Sequence, residues 1–535
     1  MKKKQIMAAF LTAAMALTMA ACGGDSSTGS SGAASGAATA EGGEYKDTLV
    51  VGTYSDQDTL DPQVNVTNDK VLRLLYDGLL THGEDGTIEA ALAESWEHSE
   101  DYLTWTFKLK EGIKFANGKE LTSADVVATF ERLINKDHPL RYSEKVEFLD
   151  SVTAIDDYTV EFTCNTATPI FEETFASQCC FIMDADYIAE YGYDIGIDPA
   201  TINGTGPYTV TTWNADEVMI FEANPNWWGG TPGCQTIEYR IIPEASSRAM
   251  AIETGEIDVL DRPSVEDYER LSQTEGLVGI SELGYGMHGF QFNCSDLSPC
   301  QDVNVRKAIS YAIDRETMVE ALYGPIGEVP THSPLTPNVL YYEDLGVAPY
   351  DPEKAKELLA EAGYADGLEI SIMTTASYNK AVESAEVIKQ QLEAVGITAT
   401  IETVDSATFQ ASLNGITPEE LPWDMFIMGF GGSGLDPDAA LRRVFETSAD
   451  GLNTNNYGWY SNARVDELLE AGRVEMDPEK RAEIYKEVQQ IVYLDDPVAV
   501  YTNLRSSLYV ISDKVENFGV NVLQVVEYEN VKVKA

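Results

Sequence analysis

The segment LTWTFKLK at 103–110 alternates apolar and polar residues without a break. Such a period of two predicts a strand with one buried and one wet face. YTVEFTC at 158–164 repeats the pattern, so the two are expected in antiparallel sheets. Helical periodicity takes over at AKELLAEAGY, which follows the opening Asp351-Pro352-Glu353-Lys354. Asp351 is a capping residue, Pro352 suits the first helical position, and Gly363 ends the run. The same opening recurs at 477–480, ahead of RAEIYKEVQQIVYL. Residues 384–395 read as a further amphipathic helix closed by Gly396, and the strand-like ITATIET follows. Helix followed by strand predicts an α/β layer, and the lack of a fixed internal period excludes solenoids and propellers.

The N-terminus has a different pattern. Lys2, Lys3 and Lys4 precede an apolar run over residues 6–21. That run is shorter than the ~20 residues of a membrane-spanning helix and fits a secretory signal peptide, 1–21. It ends MAACG at 19–23, which resembles a bacterial lipobox with Met19 in place of the usual leucine; Cys22 is the expected lipidation site. The stretch 22–44, rich in Gly, Ser and Ala, has no apolar anchor and reads as a flexible tether of roughly 25 Å.

The 535-residue chain carries 88 acidic against 36 basic residues, a net charge of -52. Such a surface repels phosphate backbones, so nucleic acid is not an expected partner. Six cysteines follow Cys22, and Cys294 and Cys300, flanking SDLSP, are the pair expected to bond if any does. Five scattered histidines give no support for a metal cage, and no metal or cofactor is expected. Neither a GxSxG elbow nor HExxH is present, and no enzymatic activity is expected. The glycine-rich MGFGGSGLDPD at 428–438 lacks the lysine of a phosphate-binding loop and sets two aspartates where a phosphate would lie.

Several ordered blocks resemble one family. They are DTLVVGTYSDQDTLDPQ (47–63), LAESWEHSEDYLTWTFKLKEGIKFANGKELTSADVVATFERL (92–133), GTGPYTVTTW (204–213) with ANPNWW (223–228), RAMAIETGEIDVL (248–260) and QDVNVRKAISYAIDRETMV (301–319). Together they are similar to the extracellular solute-binding proteins of family 5, the oligopeptide- and dipeptide-binding components of ABC importers. The resemblance implies an α/β, two-lobed periplasmic-binding-protein-like fold that closes about a hinge. Lobe I would combine 45–62, 205–288 and 503–535, with 63–204 as an inserted subdomain; lobe II would be 289–502, with crossings near Gly289 and Thr502. It also implies a monomer, anchored outside the bacterial cytoplasmic membrane, that delivers peptides to permease subunits and through them to ATPase subunits. A non-peptide solute (an oligosaccharide, an opine or a modified peptide) and a lipid-anchored sensor or adhesin remain the alternatives.

In peptide-binding members the segment equivalent to Phe430, Gly431, Gly432 and Ser433 lies along the peptide main chain. Tyr54, Ser55, Tyr285, Met287 and His288 are the other ligand-binding candidates carried over by the resemblance. Typical peptide binders hold the ligand's α-amino group with an aspartate where this chain has Ser433. Ser433→Asp is therefore expected to strengthen binding of peptides with a free amino terminus and not of their N-acetylated forms. Calorimetric titration with matched pairs checks this; an equal response to both forms counts against the placement of the loop.

Overall fold

The alternating segment at 103–110 forms strand Thr104–Leu109, with Trp105, Phe107 and Leu109 buried and Lys108 exposed. In the computed structural model, which describes residues 45–535 apart from 66–68, 84–85, 414, 432–433, 450, 454–455 and 522, it joins a four-stranded antiparallel sheet. Its neighbours are Ala93–His98 and Thr159–Cys164, and Leu149–Asp156 closes the far edge. The inward face packs on helices Ser123–Leu133 and Phe171–Phe175, where Phe171 stacks on Trp105 and on Phe175 with centroids 4.1 Å apart. Each such aromatic pair adds ~0.5–1.5 kcal/mol beyond its burial. The expected signal peptide, Cys22 and tether lie outside the described residues, as do Gly432 and Ser433. No helix among the described residues is long and apolar enough to cross a membrane.

The two Asp-Pro helix starts form as the local chemistry dictates. Asp351 accepts the Lys354 N–H at 3.0 Å at the head of helix Pro352–Glu361. Asp477 does the same for the Glu479 N–H at 3.1 Å before Pro478–Gln490. Each cap satisfies a backbone donor that the first turn leaves without an intrahelical acceptor. The helix expected at 384–395 is Ala381–Glu393; it starts nearly a turn early because Ala381, like Ala385, is buried against the core. Strand Ile397–Val404 follows, parallel to Leu368–Thr375.

These strands belong to a ten-stranded mixed sheet built around two long members, Leu277–Phe292 and Ala499–Ser512, which pair antiparallel. Beyond Leu277–Phe292 lie Met425–Phe430, Leu368–Thr375 and Ile397–Val404. Beyond Ala499–Ser512 lie Val259–Asp261, Thr48–Thr53, Thr236–Ile241, Val218–Ala223 and Tyr208–Asn214. Three hydrophobic cores result. One lies under the sheet of Thr104–Leu109, a second under Thr48–Thr53 and its neighbours, and the largest under Met425–Phe430 and the helices around it.

The expected bond between Cys294 and Cys300 is not formed: all six described cysteines are free thiols. The Cys294 Sγ faces the Phe292 carbonyl at 3.7 Å, while the turn Pro299–Gln301 carries Cys300 into the core.

The long pair changes register between Leu283 and Met287 and again between Met287 and Gly289. There the Thr502 hydroxyl donates to the His288 carbonyl at 3.0 Å. Glu328 is buried against the same crossing, receiving the Ser506 N–H at 3.1 Å and the side-chain amide of Asn503. Burial pushes its carboxyl up to about 7, although both hydrogen bonds act in the other direction. The folded state therefore keeps a proton that the unfolded chain has already lost above ~4.5, so this group lowers stability as pH rises toward 7. Glu328→Gln, which does not ionise, should gain on the parent by on the order of 2 kcal/mol between pH 5 and pH 8. Urea denaturation at the two pH values measures this, and a pH-independent difference would show that Glu328 titrates normally.

Candidate functional site

Strand Met425–Phe430 leads into the glycine-rich segment and is paired along its whole length with Leu277–Phe292, from Met287↔Phe430 to Phe292↔Met425. On its other edge Leu368–Thr375 pairs with it only at Met425 and Phe426. Among the described residues, 427–430 thus present one strand edge without a strand partner. A strand edge of this kind is what an extended ligand uses when it adds to a sheet, although here Ile427, Met428 and Phe430 are buried and the Tyr378 hydroxyl meets the Gly429 backbone.

The alternation of the strand decides which expected residues reach that surface. Phe430 is 5% exposed, its ring centroid 5.0 Å from that of Tyr501, and Met287 opposite it is 0% exposed; both belong to the core. Gly429 and His288 form the neighbouring pair and point to the other face. His288 is buried, with neither ring nitrogen hydrogen-bonded, and meets the Tyr378 ring edge-on at 4.9 Å. Burial, helped by the Arg505 charge, holds its pKa well below the usual histidine range, so the ring is neutral.

Gly431 has φ of +115°, and a Cβ there would lie 2.2 Å from the Tyr285 carbonyl oxygen. Its missing side chain admits the long strand itself. Tyr54 accepts a hydrogen bond from Arg262 at 3.1 Å, and the guanidinium also lies over its ring, 4.9 Å from the centroid. Ser55 is half-buried beside it. Asp436 and Asp438 serve the architecture. Asp436 caps helix Pro437–Phe445 and takes both Arg481 terminal nitrogens at 2.6 and 3.0 Å, while Asp438 binds Arg442 and Tyr485.

Next to the glycine segment lies a cavity of about 300 Å³, lined among others by Lys70, Lys145, Glu173, Arg262, Tyr285 and Gly434. Of the expected residues that are described, Tyr285 alone reaches its wall. Glu173 receives the Leu435 N–H at 3.1 Å and meets His82 Nε2 at 2.9 Å. Burial works against its charge, yet His82, Leu435 and Lys145 hold its carboxyl below the usual range. Lys70 is balanced by Asp261 at 3.8 Å. Lys145 and Arg262 face aromatic rings, Tyr142 and Tyr54, and have no carboxylate partner among the described residues. A larger groove of about 1080 Å³ lies elsewhere, against Asn338, Asn517, Asn521, Glu527 and Glu529, away from the open strand edge. Lys145, Glu173 and Arg262 escaped sequence reasoning because no local motif links them; only the crossing of distant segments brings them together.

The comparisons agree with this architecture. The chain matches the family described as "Bacterial extracellular solute-binding proteins, family 5 Middle" over residues 87–451. It is 30% identical to the glutathione-binding protein GsiB of Salmonella paratyphi A, over 84% of this chain and 87% of that one. It is also 30% identical to heme-binding protein A of Haemophilus influenzae, over 79% and 80%. The solved structure of DppA from Helicobacter pylori in complex with the peptide STSA superposes with a TM-score of 0.73 at 25% identity, covering 92% of this chain and 99% of that one. The structural neighbours share the two-lobed α/β architecture, and the family is a substrate-binding class rather than an enzymatic one. The chain belongs to the bacterial extracellular solute-binding proteins of family 5, the substrate receptors of ABC importers.

Proposed function

We propose that this receptor captures peptides between its lobes and delivers them to a permease while anchored through a lipid on Cys22. The observation that carries the peptide reading is the open strand edge at 427–430, with the cavity of about 300 Å³ at Gly434 in the segment that follows it. An extended peptide supplies the complementary donors and acceptors in register, and a non-peptide solute does not. The cavity volume is at the small end of ordinary ligand sites and favours a short peptide.

In this reading lobe I is 45–62, 205–288 and 503–535, the inserted subdomain is 63–204 and lobe II is 289–502. Three separate hydrophobic cores support the division, and the register changes at Met287 and Gly289 support a hinge there. Capture needs no catalytic group; it needs contacts made only when the lobes close. Along with Phe430, Gly431, Gly432 and Ser433, the set Tyr54, Ser55, Tyr285, Met287 and His288 keeps its proposed role. The buried Met287 and Phe430 would act there by shaping the shelf rather than by touching the ligand. A modified peptide is the second reading, favoured by the uncharged Ser433 where an ammonium anchor is expected.

Native mass spectrometry of the protein extracted from its host membranes tests both claims. The expected spectrum shows diacylglyceryl mass on Cys22 and a non-covalent adduct whose fragments form a peptide ladder. An adduct that yields no amide fragments would overturn the peptide reading, and an unmodified Cys22 would overturn the anchor.

A further inference from the structure

Cys179 and Cys180 are neighbours in the sequence and share the short turn Gln178–Cys180, just beyond helix Phe171–Phe175. Both are free thiols, with their sulfurs 3.9 Å apart. Cys180 is 0% exposed and sits in the core under the sheet of Thr104–Leu109. Cys179 is 1% exposed to bulk solvent, yet with Ser177 and Gln178 it lines the cavity of about 300 Å³. That cavity is the side from which a small molecule reaches its sulfur.

The two thiols differ in character. Cys179 Sγ lies 3.2 Å from the Ser177 hydroxyl, and Lys145 lines the same cavity. The Cys180 thiol first, then Ser177 and the Lys145 charge, bring the Cys179 thiol down to about 7, although burial acts against its ionisation. Burial raises the Cys180 thiol well above its ordinary value and keeps it protonated. A thiolate with a resolving thiol beside it is the arrangement that peroxide oxidises by way of a sulfenic acid. The turn is also tied to the cavity wall. The Gln178 amide donates to the Asn65 carbonyl at 2.9 Å and to the Tyr142 hydroxyl at 3.3 Å, and both of those residues line the cavity.

We propose that Cys179 and Cys180 are an oxidation site, at which a small hydroperoxide such as hydrogen peroxide closes a reversible disulfide between the two neighbours. The Cys179 thiolate attacks one peroxide oxygen and the O–O bond breaks. Hydroxide leaves and takes up the proton that the thiol gave up, forming water. The Cys180 sulfur then attacks the Cys179 sulfenic acid; the S–O bond breaks and a second water leaves with the Cys180 proton. Two thiols lose two electrons in all, and the peroxide becomes two waters. The sulfurs must close from 3.9 Å to about 2 Å. Adjacent Cα atoms stand only ~3.8 Å apart, below the usual range for bridged cysteines, so the turn has to reset its backbone. That shift moves Gln178 and with it the wall of the cavity, and a bond of this kind is easily reduced again.

The test uses the full chain, reduced and freed of reductant, then exposed to hydrogen peroxide between pH 6 and pH 9. Samples are alkylated in denaturant, cut with chymotrypsin and mapped by mass spectrometry. Peptide 176–181 should appear unalkylated and lighter by two hydrogens, while Cys164, Cys234, Cys294 and Cys300 are alkylated. Dithiothreitol should restore alkylation of both neighbours. The rate should rise about tenfold from pH 6 to pH 8 and then level off, following the thiolate fraction of a group near 7. Cys180→Ser should give a dimedone adduct on Cys179 and no disulfide; if that variant does not fold, the parent's peptide decides alone. Both cysteines still alkylated after peroxide, over-oxidation without a disulfide, or a bond to a different cysteine overturns the proposal. A rate that keeps rising through pH 9 overturns it as well, since an ordinary thiol would then be the attacking group.

Discussion

The antiparallel pairing of Leu277–Phe292 with Ala499–Ser512 ties the two halves of the ten-stranded sheet together. Every strand of the glycine-bearing side reaches the rest of the sheet through Leu277–Phe292, and every strand of the other side through Ala499–Ser512. A regular ladder between two long strands is stiff, and it bends where residues leave register. The register changes at Met287 and Gly289 place that bend beside the open edge at 427–430. The same hydrogen bonds that join the halves therefore position His288, Gly429 and Arg505 on one face. In the proposed reading, ligand surface and hinge are one piece of backbone, so that occupancy of the first would bear mechanically on the second.

Charge is distributed against the grain of the composition. With a net charge of -52, the body repels anions at long range. Lys145 and Arg262 at the cavity stand without described carboxylate partners in that acidic setting. Screening limits the repulsion to about 8 Å from the surface at physiological salt, whereas the cationic groups at the cavity act at contact. The arrangement admits anions weakly and holds them locally, a combination suited to a receptor that must also let go.

Much of the fold was legible because its signals are local. Asp351-Pro352 and Asp477-Pro478 mark helix starts through a side chain and a ring that act within one turn, and the alternation at 103–110 needs only its own residues. The start at Ala381 was less legible, since it depends on packing against a core assembled from elsewhere. The candidate site was legible as a segment and not as a surface. MGFGGSGLDPD marked the strand, but whether Phe430 or Gly429 faces the ligand is a matter of parity, fixed by the register with Met287 and His288. The close approach of the Tyr285 carbonyl that Gly431 permits was not legible either, since it depends on a distant strand. Arg505 lies more than two hundred residues from His288, so no spacing rule could join them.

The energetics of closure follow from what already bridges the two sides. The Leu435 N–H to Glu173 bond joins the glycine segment to the helix of Phe171–Phe175, and the exposed Lys380–Glu266 pair spans 3.1 Å. A hydrogen bond to a charged group contributes ~1.5–3 kcal/mol and an exposed ion pair ~0–1 kcal/mol, so these contacts alone hold a closed form only weakly. Driving such an equilibrium from mostly open to mostly closed takes about 5.5 kcal/mol of differential affinity. Three or four main-chain bonds to the edge at 427–430, at ~1 kcal/mol each, would fall short of that figure, so contacts made only on closure would have to supply the rest. A ligand offering main-chain bonds alone would bind without fully closing such a receptor. Selectivity would then reside in closure rather than in first contact.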